Sequence, residues 1–170
     1  MPMSLFLPGY SLSSKLESRD ATIIIGWYTL ILHFLAAFYF LDIYRGNNSD
    51  WIPSPIFEYS TDTMYAISLG LAIYSVIYII LASLGLVKGV KTETRIYYFP
   101  WFIFTAMEIL LLIYQAFLLW WKYSYDVGVN VMVMALIIFT CYHIYLYLIV
   151  LSNYRYLKRI QSPTLIFPVE

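Results

Sequence analysis

Charge and cysteine are what this sequence has least of. Charged residues fill 12% of its 170 positions, where a soluble domain carries about 25%. Ten Lys and Arg balance ten Asp and Glu, so the chain has no net positive field for a phosphate backbone, and nucleic acid is excluded as a partner. The one cysteine, Cys141, excludes an internal disulfide framework and any zinc site built on thiolates. Histidine occurs only at His33 and His143, too sparsely for most imidazole-ligated metal sites. A phosphate-cradling glycine loop, a His-Glu-x-x-His spacing and a nucleophile elbow are all missing. The sequence therefore calls for no cofactor, no metal and no catalytic residues, and the expectation is a protein that is not an enzyme.

What is present is apolar. Hydrophobic residues reach 62%, aromatics 20%, and mean hydropathy is +0.74. A soluble globular domain and a disordered chain are both excluded. A membrane helix needs roughly 20 mostly apolar residues, and four stretches qualify, at about 22–41, 64–87, 100–121 and 129–151. Each is continuous, not alternating, which favours helices over the strands of a membrane barrel. The expected fold is an all-α bundle of four transmembrane helices in one domain over 1–170, with tails at 1–21 and 153–170. Residues 1–21 hold Pro2, Pro8, Gly9 and several charges and lack an apolar core, so no cleavable signal is expected and the first span is an uncleaved anchor.

Local signals agree with these spans. Ser18-Arg19-Asp20 and Thr61-Asp62-Thr63 read as caps for the first and second. Pro100 falls in the first turn of the third, where its missing N–H leaves no bond unmade. Tyr44, Trp51, Tyr65, Tyr97, Tyr98, Trp101, Trp120, Trp121, Tyr123, Tyr125, Tyr154 and Tyr156 cluster near span ends and are expected at headgroup depth.

Charge placement orients the bundle. Lys15, Arg19, Lys88, Lys91, Arg95, Arg155, Lys158 and Arg159 fall on one side of the spans, and only Arg45 and Lys122 on the other. The positive-inside rule puts both termini in the cytoplasm. The 42–63 loop then faces outward and contains the sequon Asn47-Asn48-Ser49, a glycosylation candidate at Asn47. Pro53 and Pro55 stiffen this loop, and Trp51, Ile52, Ile56 and Phe57 are candidate contact residues, either for a partner or for the lipid interface.

Three ionisable residues fall inside the spans: His33, Glu108 and His143. Glu108 and His143 each lie eight residues from the cytoplasmic ends of their spans, near 12 Å depth at about 1.5 Å per residue. The short 3–4 turn makes these spans antiparallel neighbours, so Glu108 and His143 are expected to form a buried hydrogen-bonded pair, with His33 near mid-membrane able to join. Gln115, two turns beyond Glu108, continues with Thr105 and Leu112 one polar stripe that has to face protein. Two readings stand: an interhelical bond that fixes helix rotation, or a proton or ion path. Ala66 and Gly70, Ser68 and Ala72, and Ala36 and Ala37 mark faces for close helix approach. Tyr154-Arg155-Tyr156-Leu157 fits a tyrosine-based sorting pattern but abuts the membrane, where an interfacial role is simpler. Ser162-Pro163 is a phosphorylation candidate.

Gly26-Trp27, the inner loop Gly85-Leu86-Val87-Lys88-Gly89-Val90-Lys91 and the segment Arg95-Ile96-Tyr97-Tyr98-Phe99-Pro100-Trp101 together resemble the Pasiflora-type small four-pass membrane proteins. The resemblance implies a plasma-membrane protein of septate junctions that assembles with other junction membrane proteins, or with copies of itself, into a paracellular barrier. Claudins and tetraspanins, with cysteines in their outer loops, do not fit. Two alternatives are a small transport or channel accessory with a polar path at Glu108 and His143, and residence in an endosomal or lysosomal membrane.

Overall fold

The structure, a computed structural model, describes residues 12–46 and 61–161. Asn47, Trp51, Ile52, Ile56, Phe57 and Ser162-Pro163 lie outside the described residues. All elements among those described are helical: α1 (Leu12–Tyr44), α2 (Thr61–Ile77), a π-helical segment (Tyr78–Ser83), α3 (Leu84–Lys91), a 3-10 turn (Arg95–Tyr97), α4 (Tyr98–Tyr123) and α5 (Val127–Gln161). Four helical stretches are long and apolar enough to cross a membrane: Arg19–Tyr44, Asp62–Lys91, Arg95–Tyr123 and Val127–Gln161. The chain is a multi-pass membrane protein by that measure.

The helices outrun their apolar stretches. α1 begins at Leu12, so Ser18-Arg19-Asp20 lies within the helix and does not cap it. α5 continues to Gln161 because Asn153 and Leu157, four residues apart, keep one face buried beyond the lipid-facing part. α2 opens at Thr61 with Asp62 in its first turn, where a carboxylate suits the positive end of the helix dipole. Asp126, not singled out by the sequence, caps α5: its Oδ1 accepts from the N–H of Gly128 at 2.7 Å and of Val129 at 3.3 Å. At the far end of α1, Gly46 takes φ +93°, a left-handed conformation that side chains resist. Its N–H donates to the Ile43 carbonyl at 2.9 Å, closing the helix.

α1 packs against α2, the π segment, α3 and α5, while α4 packs against α5 and the π segment. The helices approach closely at Gly26, where an added Cβ would lie 2.6 Å from Val87 Cγ2. Of the small-residue pairs, Ser68, Ala72 and Ala37 are buried, whereas Ala66 and Gly70 face outward. Hydroxyls on α2 satisfy themselves within the helix: Ser68 donates to the Met64 carbonyl at 2.8 Å and Ser75 to that of Leu71 at 2.9 Å.

The main core lies toward the basic end. It holds Ile25, Tyr78, Ala82, Leu86, Val90, Tyr98, Trp101, Leu146, Val150 and Leu157. Tyr98 and Trp101, both 0% exposed, are corrections to the interfacial reading. Rings from α4 and α5 pack on one another here, and Trp101 stacks on Tyr147 with ring centres 6.1 Å apart. Leu157 is buried and Tyr154 packs on Phe102, so the tyrosine-based pattern is folded into α5 and is not open to a reader protein. Trp120, Trp121 and Tyr125 are exposed near the opposite end. There the described core is a smaller group, Leu119, Val129 and Val133.

Candidate functional site

A stripe along α1 sets up the site. Thr22, Gly26, Thr29 and His33 recur at helical spacing, and all four are buried. Nearest the basic end, Asn153 Nδ2 donates to Thr22 Oγ1 at 3.1 Å and to Tyr98 Oη at 3.2 Å, joining α1, α4 and α5. One step inward, Thr29 Oγ1 donates to the Gly26 carbonyl at 3.1 Å. Its single proton is thereby used, so Ser83 donates to Thr29 across the 3.0 Å contact between them.

The π segment presents the next layer. Its first residue, Tyr78, lies flat against the His33 ring, with centres 3.5 Å apart and planes 11° from parallel. The Tyr78 hydroxyl meets Thr105 Oγ1 at 2.7 Å. One turn earlier on α2, Tyr74 donates to the Phe104 carbonyl at 3.0 Å. π turns often occur at functional sites. This one sets Tyr78 against His33 and Ser83 against Thr29.

Glu108 sits between the two imidazoles. Its Oε1 lies 3.5 Å from His143 Nε2, and its Oε2 lies 3.9 Å from His33 Nε2. Side-chain exposure is 14% for Glu108, 5% for His33 and 1% for His143. Both rings are anchored from behind, His33 Nδ1 to the Thr29 carbonyl at 2.9 Å and His143 Nδ1 to the Phe139 carbonyl at 3.0 Å. A carbonyl only accepts, so each Nδ1 carries a proton and each ring turns its Nε2 toward Glu108. Tautomers are thus assigned by the acceptors. Glu108 Oε2 and His143 Nε2 have no hydrogen-bond partner, because both contacts exceed the usual 2.7–3.2 Å or so for a closed bond.

The structure therefore brings together Glu108, His143 and His33, from α4, α5 and α1. Thr105 joins through Tyr78. Gln115 is half-buried, but seven positions on from Glu108 it stands about 10 Å further along α4 and belongs to another layer. Tyr74, Tyr78 and Ser83 were not foreseen. Tyrosine is so frequent in this chain, at 18 residues, that its identity carries little signal. Among the described residues no group of His, Cys, Asp and Glu has the arrangement of a metal site. Comparison with models of protein families, with curated proteins and with solved structures finds no match.

Proposed function

We propose that this multi-pass protein has no catalytic chemistry and acts through its surfaces, with both termini in the cytoplasm, assembling with other membrane proteins at septate-type cell–cell junctions and contributing to the paracellular barrier. The observation that carries the scaffold reading is the clasp itself. His33, Glu108 and His143 turn toward one another across α1, α4 and α5, so the costliest groups in the bilayer face protein and not lipid. Apolar side chains such as Ile24, Phe38, Leu110 and Ile138 face outward, as lipid and lateral partners require. Arg19, Glu93, Asn153 and Tyr156 line one small pocket, which supports placing the basic ends of α1, α3 and α5 on the same, cytoplasmic, side. The junctional assignment rests on the resemblance at Gly26-Trp27, 85–91 and 95–101.

Tagged full-length protein in a polarised, septate-junction epithelium tests this reading. Lateral junctional staining, co-purification with junction membrane proteins and tracer leakage on depletion are expected. Staining confined to endosomal or lysosomal membranes would overturn the junctional role. The unpartnered Glu108 Oε2 and His143 Nε2 favour a second reading, a transport or channel accessory. On that reading reconstituted vesicles show a flux that Glu108→Gln abolishes; on the scaffold reading they show none above empty vesicles.

A further inference from the structure

The hydrogen atoms around Glu108 do not balance as drawn by two neutral rings and an ionised carboxyl. With each Nδ1–H committed to a backbone carbonyl, a carboxylate would face two nitrogen lone pairs, at 3.5 and 3.9 Å. All of these atoms are acceptors, and acceptors facing one another repel. Among the described residues the contacts of that charge are with the two imidazoles, not with a Lys or Arg. Along the third span the nearest basic residues by position are Arg95, in the 3-10 turn, and Lys122, in α4, 13 and 14 positions from Glu108, or roughly 20 Å along the axis. On α1 and α5 no Lys or Arg comes closer than 12 positions to His33 or His143. The other titratable groups facing the cluster are Tyr28 from α1, Tyr74 from α2, Tyr78 from the π segment and Tyr142 from α5. All are neutral phenols that supply no positive charge.

We propose that His33, Glu108 and His143 form a binding site for one exchangeable proton, held between the Glu108 carboxyl and the Nε2 of either His143 or His33. One proton makes the set electrically neutral. It also converts one of the two acceptor–acceptor contacts into a donor–acceptor pair. Two acceptors on different helices, at similar distances, give that proton two resting places. With it on the His143 side α4 is tied to α5; with it on the His33 side α4 is tied to α1. Glu108 thus holds a proton that can rest toward α5 or toward α1.

The test is a proton count on the full chain in phosphatidylcholine vesicles at pH 7, by nitrogen-15 solid-state NMR of the histidines and infrared spectroscopy of the carboxyl. Expected are two Nδ1–H signals and one further proton. That proton appears either as a carboxylic-acid C=O band that shifts in D2O or as a single Nε2–H. Glu108→Gln should lose that band or signal and leave both rings neutral with Nδ1–H. An ionised Glu108 beside two bare Nε2 atoms would overturn the proposal, as would two imidazolium rings. A ring that stays cationic in Glu108→Gln would also overturn it. The wild-type spectrum decides by itself if that variant fails to fold.

Discussion

Two polar clusters cross the same three helices and are built on opposite terms. Toward the basic end, Asn153, Thr22 and Tyr98 are neutral groups whose bonds close at 3.1 and 3.2 Å, beside the large core around Trp101. Deeper in, His33, Glu108 and His143 are ionisable groups whose contacts stay open at 3.5 and 3.9 Å. A neutral network is finished once its donors and acceptors match. An ionisable one is finished only when its proton count is right. The first kind sets the helices in place, and the second leaves a choice open between them.

If the basic half fixes the fold, the largest effect belongs to its biggest buried side chain. Trp101→Ala is expected to destabilise the bundle by about 3 kcal/mol, read as a fall in the unfolding midpoint in mixed micelles. Leu119→Ala, in the smaller opposite core, should cost less, and equal losses would break the contrast. Next comes Gly26→Ala, whose methyl meets Val87 Cγ2, with an expected loss of about 1–3 kcal/mol. Val87→Ala in the same chain should recover much of it, a coupling that a double-mutant cycle measures. Asn153→Ala removes two closed bonds and is expected to cost about 1 kcal/mol, since membrane hydrogen bonds average about 0.6 kcal/mol each. The smallest change has the opposite sign. Gly70 has open space around it, so Gly70→Ala should raise stability by about 0.5–1 kcal/mol through helix propensity.

The spans were legible because lipid leaves no alternative to a long apolar helix. The proximity of Glu108 to His143 was legible for a related reason: depth follows from counting residues, and a short turn brings equal depths together; the hydrogen bond expected between them is not closed at 3.5 Å. Side-chain rotation within the bundle was harder to read. Tyr98 and Trp101 look like interfacial rings in the sequence, yet they point inward, because an aromatic near a span end suits either site. The π turn at 78–83 had no warning from glycine or proline; the partners of its Tyr78 and Ser83, His33 and Thr29, are remote in sequence. The Thr22-Gly26-Thr29-His33 stripe was a readable signal, since small and polar residues at helical spacing mark a face that cannot be given to lipid. Asp126 was equally readable as a cap one residue before Val127.

The solitary sulfur atom has a practical consequence. Cys141 is exposed on α5, two positions before His143 and, at about 100° per residue, on a different side of the helix. With no competing thiol anywhere in the chain, one spin label or fluorophore attached there reports from the acyl-chain region beside Glu108 in the otherwise native sequence.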